Sequence, residues 1–367
     1  MEAHPKIFYL PDTMANWPWP CIINPHYEAV KIEAEAWFRS FKAVDPDTLK
    51  EFNKCDPALV VALCYPTVSK EHLQVTCEMM NMTAIIEDTT DKSTAAGTRG
   101  IVDIILDALH NLHKIRPKGE HIIGEMMQQS SARMVQTMSM SCYSRFVDGL
   151  TTYLRAVAVE AVDCEQRRCV GIDDNFKYRR ETSGILPWLG LCAVEIDLPD
   201  EVFYHPAIVD MVEFAADLIT VDNDMLLYNK EQASGIDHNS LITAVMLELG
   251  LDIGSAMGWA AAYHTKLEER FTNGFANIPS WGPSTDILVK EYLNGLGNWV
   301  RGHYCWSIEI ERYFGTLAMA AEIQQTRLVP LSSSVQWKAT GEGSHQLPPQ
   351  SVMGSLLSFI MSFVYNK

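Results

Sequence analysis

Residues 221–232 read VDNDMLLYNKEQ, and the residue types recur at a spacing that can hold a metal ion. On an α-helix, positions i, i+4 and i+8 drift slowly around the axis, so Asn223, Leu227 and Glu231 fall along one stripe with Lys230 beside them. An amide oxygen and a carboxylate on one face suit a hard divalent cation, and Mg²⁺ held this way keeps positions for water and phosphate. The leucine between them cannot ligate. Taken alone, Asn and Glu at helical spacing more often mark a solvated face.

Three more stretches carry chemistry-bearing residues. In IIEDTTD (85–91), Glu87 and Asp91 are four apart and Asp88 and Asp91 three apart, at the expected end of a helix beginning near Ser69. Like charges repel there, and the helix dipole is negative at that end, so a cation would relieve both penalties. An acidic cap explains the cluster equally well. In YRRETSGILP (178–187), two arginines precede Ser183 and Gly184 inside a predicted helix. A glycine there costs about 1 kcal/mol relative to alanine, and a break would turn backbone groups toward the interior; a surface arginine pair is the plainer reading. In CWSIEIERYFG (305–315), Arg312 and Tyr313 follow Trp306 and together offer a guanidinium fork, a phenol and an aromatic face. A charged helix end is the common explanation. His110 and His113 in HNLH have zinc-ligand spacing without a third ligand, which reads as an exposed helix face.

The elements that must position these residues are helices. Apolar positions recur with helical period in PHYEAVKIEAEAWFRSF, DIILDALHNLHKI and SLITAVMLELGLDIGSAMGWAAAYHTKLEERF, and alternating strand patterns are scarce. Pro and Gly cluster between them, as in CYPTVSK and NIPSWGPS, joining roughly ten helices. The pattern predicts an all-α bundle in one domain, residues 1–315, followed by a loosely ordered tail over 316–367 that is no separate domain.

The net charge of −17 argues against nucleic acid or an anionic membrane as partner, and an anionic substrate would need local cations. Nine cysteines without a C-x-x-C pair read as reduced thiols in a cytoplasmic protein. The start, MEAHPKIFYLPDTM, has no secretory pattern, and the C-terminal run SLLSFIMSFV is too short for a membrane span. The chain is expected to be a monomer or homodimer without stable membrane insertion.

Taken in chain order, the four stretches make the sequence resemble class I terpene synthases, most closely the fungal sesquiterpene type, over about Asn24 to Phe314. EDTTD stands at the family's aspartate-rich motif. Arg180, Ser183 and Gly184 stand at its sensor, linker and effector positions, Asn223 to Glu231 at its Asn-Ser-Glu triad, and Arg312 and Tyr313 at its final pair. Two positions depart from the pattern: Glu87 replaces the first aspartate, and Leu227 replaces the triad serine.

The resemblance implies an all-α class I terpenoid synthase bundle around a central apolar cavity. It implies three Mg²⁺ ions, with Glu87, Asp88, Asp91, Asn223 and Glu231 as ligands and Arg180, Lys230, Arg312 and Tyr313 as diphosphate donors. The implied reaction ionises a prenyl diphosphate, farnesyl diphosphate above all, to a sesquiterpene hydrocarbon or alcohol. Thr83, Ala84 and Trp306 are the expected cavity wall, and an aromatic-poor wall at 83–84 would favour early quenching. The alternatives are an acyclic terpene alcohol synthase of linalool or nerolidol type that also uses geranyl diphosphate, and a catalytically silent prenyl-diphosphate-binding relative. A chain-elongating prenyltransferase normally needs a second DDxxD motif, where this sequence has VDNDM.

Overall fold

The computed structural model describes residues 7–91, 93–163, 171–235, 237–314 and 316–332. It is all-α apart from one pair of short strands. Along the chain come β1 (Ile7–Tyr9), α1 (Tyr27–Ser40), α2 (Pro46–Cys55), α3 (Pro57–Cys64), α4 (Lys70–Asp91), α5 (Ala95–His110), α6 (Ile123–Thr137) and α7 (Met140–Asp163). They are followed by α8 (Ile172–Thr182), α9 (Ile185–Gly190), α10 (Asp200–Phe203), α11 (Pro206–Ser234), α12 (Leu241–Leu249) and α13 (Ile253–Ala276). The last elements are α14 (Pro283–Glu309), α15 (Glu311–Phe314), α16 (Leu317–Thr326) and β2 (Leu328–Pro330).

Local chemistry sets many of the boundaries. Asp45 caps α2 by accepting from the amides of Asp47 and Thr48, with Pro46 as the first helical residue. Pro206 opens α11 in the same way, and Gly235 closes it in the left-handed conformation at φ 71°.

The site is framed by a closed circuit of packed helices. α4 packs on α3, α3 on α14, α14 on α11, α11 on α8 and α9, these on α7, α7 on α5, and α5 back on α4. This order sets α4 and α11 on opposite walls. The contact between α3 and α14 depends on Gly302, where an added Cβ would lie 2.5 Å from the Leu63 carbonyl carbon.

The structure adds boundaries that helical period does not mark. The run SLITAVMLELGLDIGSAMGWAAAYHTKLEERF is two helices, α12 and α13, whose axes differ by 112°. Gly250 ends α12 at φ 65°, and the Asp252 side chain caps α13 through the Ser255 amide. The long helix carrying Trp306 stops at Glu309, because Ile310 is extended at ψ 154°. Arg312 and Tyr313 therefore sit on the single-turn α15.

Thr316, where the sequence reading begins a tail, is the N-cap of α16 and accepts from the Met319 amide. Ala320, Ile323 and Val329 join the buried core, and β2 pairs antiparallel with β1, Ile7 opposite Pro330. The run SLLSFIMSFV lies outside the described residues. The seven described cysteines are free thiols, and Cys164 and Cys169 fall outside that set. Among the described residues no single helix is long and apolar enough to cross a membrane.

Candidate active site

The acidic stretch closes α4, as its spacing predicts. Glu87 is buried and Asp88 half-buried, while the Asp91 side chain lies outside the described residues. Thr83 is buried, with its hydroxyl donating to the Met79 carbonyl at 3.1 Å, and Ala84 is buried beside it.

On the opposite wall, α11 is buried continuously from Ala215 to Tyr228 although it carries Asp217, Asp222, Asn223 and Asp224. Buried carboxylates demand partners. Asp224 receives Arg179 Nη2 at 2.7 Å and the Leu241 amide at 2.7 Å. The same Arg179 nitrogen donates to Asn223 Oδ1 at 3.1 Å. Asp222 accepts from the Thr13 hydroxyl at 2.6 Å and faces His264 Nε2 at 3.4 Å.

Arg180 has a different setting from its neighbour. It forks onto Asp217, Nε to Oδ1 at 2.7 Å and Nη2 to Oδ2 at 2.6 Å, and donates to Glu213 at 2.5 Å. Burial pushes the Asp217 carboxyl above the ordinary range, and the guanidinium pulls it partway back. The structure therefore brings Arg179, not Arg180, onto Asn223. Arg179 and Asp224 are the buried neighbours of Asn223 that sequence reasoning passed over. The signal was present in two adjacent pairs, Arg-Arg and Asn-Asp, but adjacent residues point about 100° apart and the sequence does not say which member faces in.

Past these arginines the helix ends where Gly184 adopts φ 67°, and Ile185 starts α9 with its amide donating to Ser183 Oγ at 3.3 Å. The helix does break at the glycine, the reading the sequence ranked behind a surface arginine pair, and Ser183 is fully buried beside it.

Leu227 is buried in the core, and Lys230 and Glu231 follow it half-buried on the last turns of α11. α15 packs on α2 and α11, which brings buried Tyr313 to this wall. Its ring meets Trp306 edge to face, with centroids 5.8 Å apart. Trp306 is completely buried and fixed by an Nε1 donation to the Cys55 carbonyl at 2.7 Å. The Arg312 side chain lies outside the described residues.

Among the described residues, no three His, Cys, Asp or Glu side chains converge as a ready-made metal cluster. The donors that stand on the two walls, Glu87 and Asp88 against Asn223 and Glu231, are all oxygens, which is the set a hard divalent cation takes. Asn223 Oδ1, the atom a cation would take, is oriented by the 3.1 Å bond from Arg179. The residues fit such an ion.

Residues 78–270 match the family model described as terpene synthase family 2, C-terminal metal binding. Sesquiterpene synthase 14 of Postia placenta is 41% identical over 93% of this chain and 96% of its own length. A Δ(6)-protoilludene synthase of Stereum hirsutum is 38% identical over 97% and 94%. Among solved structures, α-eudesmol synthase superposes with a TM-score of 0.72 at 18% identity over 80% of this chain and 98% of that one. A cucumene synthase variant gives 0.71 at 20% identity over 80% and 99%. At such identities these two structures establish the shared fold.

Proposed function

This chain belongs to terpene synthase family 2, and from that membership we propose that it is a sesquiterpene synthase that ionises farnesyl diphosphate and cyclises the resulting cation. The observation that supports the site best is the placement of buried oxygen donors, Glu87 and Asn223, on opposite walls of one helical circuit. Glu87, Asp88 and Asp91 would hold metal on one wall, and Asn223 and Glu231 on the other. We take the metal to be Mg²⁺, three ions, which when bound would supply Lewis-acid charge to the departing diphosphate.

The protein's own groups do the rest. Arg180, Lys230, Arg312 and Tyr313 donate to diphosphate oxygens as the bond from C1 to oxygen breaks and its electron pair leaves with oxygen. Ser183 and Gly184 shape the helix break beside them. Thr83, Ala84, Leu227 and Trp306 keep water from the allylic cation, and the fixed Trp306 ring offers it a π face. The acyclic-alcohol alternative is not favoured, since relatives near 40% identity bear the names sesquiterpene synthase and Δ(6)-protoilludene synthase.

The test is incubation of the purified protein with farnesyl diphosphate and Mg²⁺, with diphosphate release and volatile products both measured. Diphosphate and a cyclic fifteen-carbon product are expected, both lost on chelation. A folded protein that yields neither would hand the case to the silent-relative reading.

Leu227 gives a sharper check on the triad. Leu227→Ser adds a hydroxyl to the stripe, so the half-saturating Mg²⁺ concentration is expected to fall. Leu227 is 2% exposed, so the change also removes core contact, at about 2–4 kcal/mol in a melt. A lowered melt with an unchanged Mg²⁺ titration sinks the idea that this position limits metal binding.

A further inference from the structure

The chain's first described residues reach the helix that carries Asn223. Thr13 Oγ1 donates to Asp222 Oδ1 at 2.6 Å, and both residues are buried. The other Asp222 oxygen faces His264 of α13, which is completely buried. The segment holding Thr13 is itself tied down on both sides. Arg301 of α14 donates to the carbonyls of Met14, Trp17 and Trp19 at 3.0, 2.8 and 2.7 Å. Trp17 Nε1 donates to the Gly297 carbonyl at 3.0 Å, and Asp12 pairs with Arg327 at 2.9 Å.

We propose that Thr13 and Asp222 are positioning residues for Asn223, and that the N-terminal segment is thereby a working part of the metal site. The inference rests on the reading of Asn223 as a metal ligand. Consecutive helical residues project about 100° apart, so holding Asp222 toward Thr13 and α13 sets the rotation of Asn223 toward the interior and Arg179. Arg179 grips the same turn from the other side. Without the Thr13 hydroxyl, one oxygen of the buried Asp222 loses its donor. The turn then gains freedom to rotate toward another one, carrying Asn223 with it. Ligand-orienting partners of this kind typically affect metal affinity by about 10–100-fold.

The experiment titrates Mg²⁺ into full-length protein at fixed inorganic diphosphate, by calorimetry, so that no turnover is needed. Thr13→Val is expected to raise the half-saturating Mg²⁺ concentration about tenfold and to speed amide exchange over 221–231. Thr13→Ser, which keeps the hydroxyl, should stay within twofold of the parent. Thr13→Ala carries the same expectation as valine and removes any question of fitting a branched methyl. Val147→Ala, a truncation at a buried position of α7, which carries none of the residues named for the site, should lower the melting temperature and leave the Mg²⁺ titration within twofold. A wild-type titration curve for Thr13→Val and Thr13→Ala, or an equal shift in Val147→Ala, overturns the positioning role. Failure of the parent protein to bind Mg²⁺ and diphosphate at all overturns the underlying site reading, and this proposal with it.

Discussion

Asn223→Ala lowers turnover of farnesyl diphosphate by on the order of a hundred- to a thousandfold, the scale of removing one preorganised group that stabilises a leaving charge. Alanine takes away the amide oxygen, and no neighbouring side chain on the stripe replaces it, because the next position inward is Leu227. Stability should change far less. Arg179 keeps its 2.7 Å bond to Asp224, so the buried charge pair survives and the cost is about that of one hydrogen bond to a charged group, 1.5–3 kcal/mol. Measuring kcat/KM across a Mg²⁺ titration beside a thermal melt checks both halves. A rate loss below tenfold would remove Asn223 from the ligand set.

Arg180→Gln is expected to lower kcat by a comparable factor, and adding Asp217→Asn should restore stability without restoring rate. The two arginines differ in their freedom. Arg180 keeps 27% of its side chain exposed and one of its partners, Glu213, 40%, so an arriving diphosphate can compete for its fork. Arg179 and Asp224 are only 6% and 2% exposed. Arg179→Gln therefore strands a buried carboxylate and should cost about 3–5 kcal/mol in a melt. If Asp217→Asn brings back the rate of Arg180→Gln, then Arg180 acts as a brace between α8 and α11, and the donor to diphosphate must be sought elsewhere.

Residues with strong local signals were legible from the sequence. Helical period marked the long helices, while the break at Gly184 was only one of two readings of a glycine after a small residue, and the plainer one, a surface arginine pair, left it out. The acidic cluster closing α4 could be placed from its spacing alone. Gly250 was equally visible as a residue, yet the run around it kept its apolar period, so the period alone did not mark where α12 ends and α13 begins. The division of labour between Arg179 and Arg180 depends on partners some 40 residues away on α11, and nothing in YRRETSG encodes it. The strands were the least visible elements. Three residues each, IFY and LVP, are too short for a period to show, and their stability comes from each other and from the core beneath Phe8 and Val329.

That pairing has a consequence for how the protein is made. β1 leaves the ribosome long before its partner β2, with Ile7 waiting for Pro330. At typical elongation rates of about 5–20 residues per second, that delay is on the order of tens of seconds. Through it, Trp17 and Trp19 have neither Arg301 nor Gly297 to receive them, since α14 too is late. The nascent chain therefore carries an unclaimed aromatic segment until α14 has been made, and the pairing of β1 with β2 waits longer still.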